Sequence, residues 1–341
     1  MFDAASDSDT AQFFLMAGSQ FRAVVQTGYG NSSVLELRMI NSSDPGPSEV
    51  RVRHSAIGVN FHDIYVRTGL YQTLTIPGVP GIEAVGVIIA VGPGSGDWRV
   101  GQRVAYVDRG YGAYCEERNV ATSLLAEPPE SLSDGVVATS LVRGLTAAML
   151  LEEVYQVRPG DRCLIHAIAG SMGQMLASWA RHIGAAVVGT VGKRSVPPEI
   201  AAVCDNIYSY VEDGWSERLV AEQGATFDYV CDSVGTPTFG TSLKAAKSCG
   251  HIALFGQSGG KVEQIDVDRL AVKSLTITRP ILFDFIADAV RRGSMMRSLT
   301  DMVNARVLRF PDPLCLPLAK AGEAQAMLEE RSVTAPIALI P

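Results

Sequence analysis

A run of small residues stands where an apolar strand pattern gives way to a helical one. The stretch HAIAGSMGQ, residues 166–174, has Ala167, Gly170 and Gly173 at three-residue spacing. Small residues at such a turn let the backbone approach a phosphate at the helix N-terminus, where amide groups are unpaired. They also let a helix pack closely on a sheet without any ligand, and both interpretations remain open on this stretch alone. The first glycine of the GxGxxG pattern is absent, with alanines at 167 and 169.

A basic turn follows the next strand pattern, AVVGTVGKRS. Enzymes that use NAD usually end this strand with a carboxylate that holds the ribose 2′-hydroxyl. Lys193 and Arg194 occupy the corresponding place, and cationic groups suit the 2′-phosphate of NADPH. A solvated basic turn at the surface is the alternative. We therefore predict NADPH as the cofactor, in preference to NADH.

Alternating strand and helix patterns surround these residues from about residue 141 onward. The strands include CLIHA, AVVGTV, NIYSY, FDYVCDSV, HIALFGQ and LTITRP, with helices between them such as MLASWARHIGA, GWSERLVAEQ and TSLKAAKSCG. Such alternation predicts a parallel sheet with helices on both faces. The chain before it, from Phe21, reads as short strands broken by glycine-rich turns, which predicts a mostly β domain.

The last segment of the chain is too short to fold alone. After Pro280 the patterns predict one amphipathic helix over DFIADAVRRGSMMRSLTDMV, a strand at RVLRF, a short helix and a final strand. We expect this segment to return to the first domain. The prediction is an α/β fold in which a Rossmann-type doubly wound parallel sheet, residues 143–285, is inserted in a mostly β catalytic domain, residues 21–142 and 286–341.

Composition narrows the class of protein. An apolar fraction of 47% with 19% charged residues is typical of a globular chain, and the formal net charge of -7 disfavours nucleic acid or an anionic membrane as the main partner. The six cysteines form no CxxC pair or close cluster, and no apolar run approaches membrane-spanning length. We expect a cytoplasmic protein with a small-molecule substrate. Residues 1–20 have the composition of a leader or a mobile tail.

Many stretches together resemble the medium-chain dehydrogenase/reductase superfamily, in its zinc-independent NADPH:quinone oxidoreductase, or zeta-crystallin-like, branch. The resemblance covers nearly everything after Gln20. The stretches that carry it are AIGVNFHDIYVRTGLY, PGIEAVGVIIAVG, GAY, RGLTA, LIHAIAGSMG, WARHIGA, GTVG, CDSVG, FGQSGG, TITRP and IALIP. The resemblance implies that the mostly β domain is GroES-like.

The resemblance also implies that no metal is bound. Zinc-dependent relatives carry a cysteine and a histidine where this chain has Asn60 and Ile82. Neither side chain supplies the thiolate or imidazole of a catalytic zinc site. Glu83 is then expected to be a structural carboxylate, and His54 and His62 are interpreted as ordinary polar residues.

Cofactor contacts implied by the resemblance fall on several parts of the chain. They are Asn60, Thr146, Ala169, Gly170, Ser171, Met172, Gly173, Gly192, Lys193, Arg194, Tyr210, Ser233, Phe255, Gly256, Gln257 and Arg331. One position departs from the family pattern. A lysine that commonly reaches the 2′-phosphate is replaced by Val196, so Lys193 and Arg194 have to substitute for it.

The chemistry follows from the missing metal. Without zinc to polarise a carbonyl, interconversion of alcohols and ketones lacks its electrophile. A quinone or α,β-unsaturated carbonyl accepts hydride at carbon and spreads the charge onto oxygen, so the protein has only to hold it against the nicotinamide and stabilise that charge. The resemblance implies that the cleft is lined by Asn60, Tyr65, Tyr71, Arg143 and Arg279. Tyr71 is either the proton donor to an enone or an aromatic wall.

Three functions stay open on the sequence. The leading one is NADPH-dependent reduction of quinones. The second is reduction of activated double bonds in alkenals, enones or 2-haloacrylates, and the third, of a different class, is an NADPH-binding structural or RNA-binding protein. For assembly, the resemblance implies a homodimer joined through the β-branched strand LTITRP, and a monomer with that edge shielded by the GKVEQ loop is the alternative.

Overall fold

The computed structural model describes residues 20–341. Residues 1–19, which belong to the predicted leader or tail, lie outside the described residues, and Gln20 is the first residue of a strand. No helix in the described part of the chain is both long and apolar enough to cross a membrane.

Strands and α-helices are numbered in chain order. The strands are β1 (Gln20–Gln26), β2 (Leu35–Asn41), β3 (Glu49–Gly58), β4 (Glu83–Val91), β5 (Arg103–Val107), β6 (Glu117–Ala121), β7 (Leu125–Ala126), β8 (Arg162–Ile165), β9 (Ala186–Val191), β10 (Asn206–Ser209), β11 (Phe227–Asp232), β12 (Ala246–Leu254), β13 (Thr276–Thr278), β14 (Leu314–Pro317) and β15 (Ile337–Ile340). The helices are α1 (Phe61–Arg67), α2 (Asp134–Ala138), α3 (Leu141–Ala148), α4 (Ser171–Ile183), α5 (Pro198–Ala201), α6 (Trp215–Gln223), α7 (Thr236–Ala245), α8 (Asp268–Ala271), α9 (Leu282–Ile286), α10 (Ala289–Asn304) and α11 (Ala321–Glu329).

A seven-stranded sheet takes strands from both ends of the described chain. Its order is β14-β15-β3-β4-β5-β7, and β6 pairs with β3. All its pairs are antiparallel except β14 with β15. In β3 the buried Val50, Val52 and Ala56 alternate with the more exposed Arg51 and Arg53, which is the two-residue period of a strand with one face on a core.

A second, six-stranded parallel sheet has the order β10-β9-β8-β11-β12-β13. Cys163 and Ile165 of β8 pack into one hydrophobic core and Leu164, between them, packs into another on the opposite face. Helices therefore cover both faces, as predicted for a doubly wound sheet. The strand order changes direction between β8 and β11, and ligands of such sheets bind beyond the carboxyl ends of the strands at that point.

The C-terminal segment differs from its predicted pattern in two places. The predicted single helix after Pro280 is divided into α9 and α10, because the Asp288 side chain accepts the Arg291 amide at 2.7 Å and caps a new helix. The predicted strand RVLRF is wrong. Its first residue, Arg306, has φ of 57°, and the next two amide groups donate to the Met302 carbonyl at the end of α10. The strand that pairs with β15 lies further on, at β14.

The predicted helix TSLKAAKSCG also ends earlier than its pattern suggests. Helix α7 stops at Ala245, and β12 begins at once at Ala246, which pairs with Phe227 of β11. Pairing in the sheet overrides the helical propensity of the lysine and alanine residues.

Candidate active site

The turn between β8 and α4 leaves no room for a side chain at Gly173. A Cβ atom there would lie 2.5 Å from Ile168 Cα and closer still to the Ala167 carbonyl oxygen. Ala167 has φ of 58°, the left-handed conformation that glycine adopts most readily. Gly170 is the N-cap residue of α4, so the unpaired amide groups of the first helical turn begin at this loop. This geometry suits a phosphate group at the helix N-terminus.

Three further predicted contacts belong to the same turn. Ser171 is the first residue of α4, and Ala169, Ser171 and Met172 are all partly exposed. The side chains of Ala169 and Met172 pack against the hydrophobic core that also contains Cys163 and Ile165. What this turn offers a ligand is mainly its backbone amide groups.

A buried polar network lies beneath the loop, at the carboxyl ends of β8 and β11. His166 Nε2 is 3.0 Å from the Ser242 hydroxyl, which donates to the Asp232 carboxylate at 2.8 Å. Asp232 also accepts the amide groups of the two residues that follow Ser233, at 2.9 and 3.0 Å. The network fixes the turn that carries Ser233. These residues were not predicted from the sequence, although His166 and Asp232 stand directly after the apolar runs CLI and YVC, which was a signal.

The turns after β11 and β12 are pressed together. A Cβ atom at Gly256 would lie 2.5 Å from the Ser233 carbonyl oxygen. The Phe255 amide donates to the carbonyl of the residue before Ser233, at 2.9 Å. Ser233, Phe255, Gly256 and, beside them, Gln257 therefore form one continuous backbone surface next to the loop after β8.

Two arginines and a glycine meet at Tyr210. A Cβ atom at Gly192 would lie 2.8 Å from the Tyr210 hydroxyl, so the ring covers the end of β9. Burial raises the pKa of Tyr210, and the positive charges of Arg331 and Arg194 oppose this rise. The two guanidinium groups are thus close enough to act on the same hydroxyl.

The same arginines link the parallel sheet to the C-terminal segment. Arg194 donates to the Val333 carbonyl at 3.3 Å, and Arg331 donates to the Ser258 carbonyl at 2.8 Å. Both are exposed and bond only to backbone oxygens in these contacts. An anionic ligand that enters between them replaces neutral acceptors with a charged one, which guanidinium groups prefer.

Lys193 and Arg143 have less direct roles in this geometry. Lys193 is exposed, and within residues 20–341 its ammonium group forms no hydrogen bond or ion pair. Arg143 of α3 donates to the carbonyl of Thr139, the C-cap residue of α2, and burial lowers the pKa of Arg143 to about 10. Val196, at the position where the family commonly has lysine, packs against the main core.

Asn60 is held at the start of α1 by Glu83. Asn60 Nδ2 donates to one Glu83 oxygen at 2.7 Å, and the other oxygen accepts the Val142 amide at 2.8 Å. Thr146 lies one turn further along α3 and donates to the Val142 carbonyl at 2.7 Å. Both oxygens of Glu83 are occupied, so it acts as the structural carboxylate expected from the sequence and aligns Asn60 with α3.

Stability should depend on pH through Glu83. Burial raises the pKa of Glu83 to about 7, against hydrogen bonds from Asn60 and Val142 that oppose the rise. A carboxyl group whose pKa is higher in the folded than in the unfolded protein stabilises the folded state. This stabilisation is complete at pH values below the pKa of the unfolded protein, and it is lost as the pH rises through the folded pKa of about 7. We expect Glu83→Gln to flatten the fall in unfolding free energy over this pH range, measured by urea titration. The exposed Glu330→Gln should leave the slope unchanged, and an equal slope in both variants would contradict the assignment.

Tyr65 and Tyr71, which the resemblance assigns to the substrate cleft, pack against each other. Their ring centroids are 5.2 Å apart, in an edge-to-face arrangement. Burial raises the pKa of Tyr65, and the charges of Arg279 and Arg331 oppose this rise. Arg279 donates to the carbonyl of Leu254, the last residue of β12, at 2.7 Å. The Tyr65 hydroxyl of the first domain therefore lies within the influence of Arg279, which follows β13, and of Arg331 in the C-terminal segment.

His62 belongs to the same aromatic group. Its ring centroid is 5.6 Å from that of Tyr71 and 5.6 Å from that of Phe283 in α9. His62 was expected to be an ordinary polar residue, because no metal-ligand spacing involves it. In the structure it packs among rings from three separate segments, those of Tyr71, Tyr111 and Phe283.

Comparison with known proteins identifies the family. Residues 46–152 match the model for the alcohol dehydrogenase GroES-like domain, and residues 171–300 match the model for zinc-binding dehydrogenases. A 2-haloacrylate reductase of Burkholderia sp. is 36% identical over 312 residues, which cover 89% of this chain and 93% of that protein. A quinone oxidoreductase of Pseudomonas aeruginosa is 33% identical over 320 residues, which cover 92% of this chain and 97% of that protein. The crystal structure of Escherichia coli quinone oxidoreductase complexed with NADPH is 31% identical, has a TM-score of 0.86, and covers 94% of this chain and 100% of that one.

The chain belongs to the medium-chain dehydrogenase/reductase superfamily, in its quinone oxidoreductase branch. This confirms the family and the fold class predicted from the sequence, a GroES-like β domain combined with a Rossmann-type sheet. Relatives named as quinone oxidoreductase and as 2-haloacrylate reductase have similar identities to this chain. Identity alone therefore does not separate the two substrate classes.

Proposed function

We propose that the protein reduces quinones by hydride transfer from NADPH. The observation that carries the proposal is the tightly packed turn at Gly173 at the start of α4, together with two arginines whose charges act on Tyr210 after the neighbouring β9. The similarity to enzymes named quinone oxidoreductase, one of them complexed with NADPH, supports the same activity. When bound, NADPH supplies a hydride from C4 of its nicotinamide.

The cofactor-binding residues are proposed as four groups. The turn Ala169 to Gly173 binds the pyrophosphate through its amide groups, and the backbone surface from Ser233 and Phe255 to Gln257 lies alongside the cofactor. Asn60 and Thr146 face the nicotinamide end. The residues proposed for the 2′-phosphate end are Gly192, Lys193, Arg194, Tyr210 and Arg331.

At the reacting end, Asn60, Tyr65, Tyr71 and Arg279 are proposed to hold the acceptor. Tyr65 and Arg279 bring a hydroxyl donor and a cation to the oxygen that gains negative charge. The Tyr71 ring supplies an aromatic surface, and its hydroxyl or water supplies the proton. Fixed donors at this point lower the barrier because they need no reorganisation during the transfer.

Reduction of an activated double bond is the second candidate, because a 2-haloacrylate reductase is 36% identical to this chain. A panel of quinones, 2-alkenals and 2-haloacrylates with NADPH tests both candidates by comparing kcat/KM. Quinones as the best acceptors support the proposal, and a preference for haloacrylates or alkenals overturns it in favour of the second. Failure of the protein to reduce any acceptor would favour an NADPH-binding structural or RNA-binding role. The net charge of -7 argues against binding of RNA.

We further propose that this activity is independent of zinc, although one matching family model describes zinc-binding dehydrogenases. Asn60 and the buried, apolar Ile82 are poor zinc ligands. Among the described residues, no cluster of three or more His, Cys, Asp or Glu side chains could hold a metal ion. We expect full activity after dialysis against a chelator and less than stoichiometric zinc by elemental analysis. Stoichiometric zinc, with activity lost on chelation, would contradict this.

The organisation and location of the protein are proposed on related grounds. Residues 21–142 and 286–341 are proposed as the catalytic domain, and residues 143–285 as the nucleotide domain. All six cysteines are free thiols, which fits a reducing compartment, and we propose the cytoplasm.

We propose a homodimer that joins the two parallel sheets through β13. Within residues 20–341 this strand is the last of its sheet and pairs with β12 on one side only, which leaves its other edge for pairing about a two-fold axis. Thr276 is exposed, whereas Ile277 packs partly against a core, so Thr276→Lys is the cleaner test of the edge. Sedimentation should give a dimer for the unmodified protein and for the nearby Val272→Lys, and a monomer for Thr276→Lys. A monomer in all three samples would favour the shielded edge.

A further inference from the structure

A chain of three polar side chains runs through the aromatic part of the cleft. Thr73 and Tyr111 are hydrogen-bonded through their hydroxyl groups, and the Tyr111 hydroxyl lies 3.2 Å from His62 Nε2. In one arrangement of the protons the Thr73 hydroxyl donates to the Tyr111 hydroxyl, and the Tyr111 hydroxyl donates to His62 Nε2. A neutral imidazole in this arrangement carries its proton on Nδ1.

Rings on three sides hold the imidazole of His62 in place. The Tyr111 ring is stacked on it with centroids 5.9 Å apart, the Phe283 ring meets it edge-on, and the Tyr71 ring is tilted against it. Burial lowers the pKa of His62 to about 4, so the ring is neutral at neutral pH. Nδ1 of His62 has no hydrogen-bond partner in the described chain. It is not one of the fully buried polar atoms that lack a partner, so it keeps some contact with solvent.

The cleft consequently has two polar ends. At one end Tyr65 is influenced by the charges of Arg279 and Arg331, and at the other end stands His62. The Tyr71 ring lies between them, next to both Tyr65 and His62. A flat conjugated acceptor that carries an oxygen at each end can use both, whereas an acceptor with a single carbonyl oxygen can use only one.

We propose that His62 donates a hydrogen bond from Nδ1 to the second oxygen of a quinone, and that it thereby favours quinones over acceptors with one carbonyl oxygen. Tyr111 and Thr73 are positioning residues, because they act on the substrate only through His62. The proposal rests on the proposed quinone reduction. In that reaction a hydride and one proton, from the Tyr71 hydroxyl or water, convert the quinone to the hydroquinone. His62 keeps its own proton while it stabilises the share of the negative charge that conjugation brings to the second oxygen.

The test compares His62→Leu, His62→Gln and Tyr111→Phe with the unmodified protein. For a 1,4-benzoquinone, His62→Leu should lower kcat/KM about tenfold, the usual effect of losing one hydrogen bond to a group that gains charge. His62→Gln should recover part of the loss because it keeps a donor. Tyr111→Phe, which keeps the ring, should raise KM more than it lowers kcat. For a 2-alkenal, kcat/KM should not change, and the NADPH dissociation constant should be equal in all four proteins.

Binding of the hydroquinone product to the protein with NADP⁺, measured by calorimetry, gives a second readout that needs no turnover. Weaker hydroquinone binding by folded His62→Leu supports the proposal. The proposal is overturned if His62→Leu and the unmodified protein bind hydroquinone equally well, or if the unmodified protein does not bind it. It is also overturned if the ratio of kcat/KM for the quinone to that for the alkenal is unchanged in His62→Leu. Failure of the proposed function is seen separately, as absence of quinone reduction by the unmodified protein, and the calorimetric comparison then decides the role of His62.

Discussion

Gly173→Ala is expected to weaken NADPH binding by at least about 100-fold, or about 3 kcal/mol. The added Cβ would lie 2.5 Å from Ile168 Cα and closer still to the Ala167 carbonyl oxygen. Both neighbours are backbone atoms, so relief of the contact has to move the loop or α4. Either movement displaces the amide groups proposed to hold the pyrophosphate.

A stability measurement separates loss of binding from loss of fold. Overpacking at one position costs about 1–3 kcal/mol, which a domain of ordinary stability survives. Gly240→Ala in α7 is the matched control, since no atom lies within 4 Å of its added Cβ. It should bind NADPH normally and be slightly more stable, because alanine favours a helix over glycine. Unchanged NADPH affinity in folded Gly173→Ala would mean that the small residues serve only close packing.

Removal of Arg194 and Arg331 together is expected to abolish the preference for NADPH over NADH. Each charged hydrogen bond contributes about 1.5–3 kcal/mol, so each arginine accounts for about 10- to 100-fold in NADPH affinity. The charges of both arginines act on the Tyr210 hydroxyl, beside which we propose the 2′-phosphate. NADH lacks that phosphate, so its dissociation constant should change little. Lys193→Ala should have a smaller effect, because its exposed ammonium group keeps its hydration and rotamer freedom.

Fluorescence titration of both cofactors against the double Ala variant checks this expectation. Arg218→Ala is the control. Arg218 is a surface cation of the nucleotide domain, and it pairs with Glu212 at 2.9 Å. The preference for NADPH should also fall as salt is added, since the arginines are exposed. Equal dissociation constants for NADPH and NADH in the unmodified protein would refute the cofactor assignment.

The sequence was sufficient for the parallel sheet because its strands and helices alternate with distinct periods. The segment after Pro280 was harder, since the end of α10 depends on a left-handed residue and on amide bonds back to Met302. An isolated pattern such as RVLRF contains no sign of those bonds. Strand propensity in a short segment is readily overridden by tertiary contacts of this kind.

In the candidate site, too, residues close together in the sequence could be predicted, whereas contacts between distant segments could not. The spacing of Gly170 and Gly173 and the basic pair after β9 were visible as motifs. The convergence of Arg194 and Arg331 was not, because it requires the C-terminal segment to cross onto the nucleotide-binding sheet. His62, Tyr111 and Phe283 come from three distant segments, so their contact could be found only in the folded structure.

The most direct test of the central proposal is a single-turnover reaction between a quinone and NADPH deuterated at C4, followed with chelator-treated protein. We expect one hydroquinone for each NADPH consumed, deuterium lost from the cofactor, and a slower reaction than with unlabelled NADPH, because hydride transfer breaks the labelled bond. No consumption of NADPH in the presence of quinone, or consumption without hydroquinone, would contradict the account.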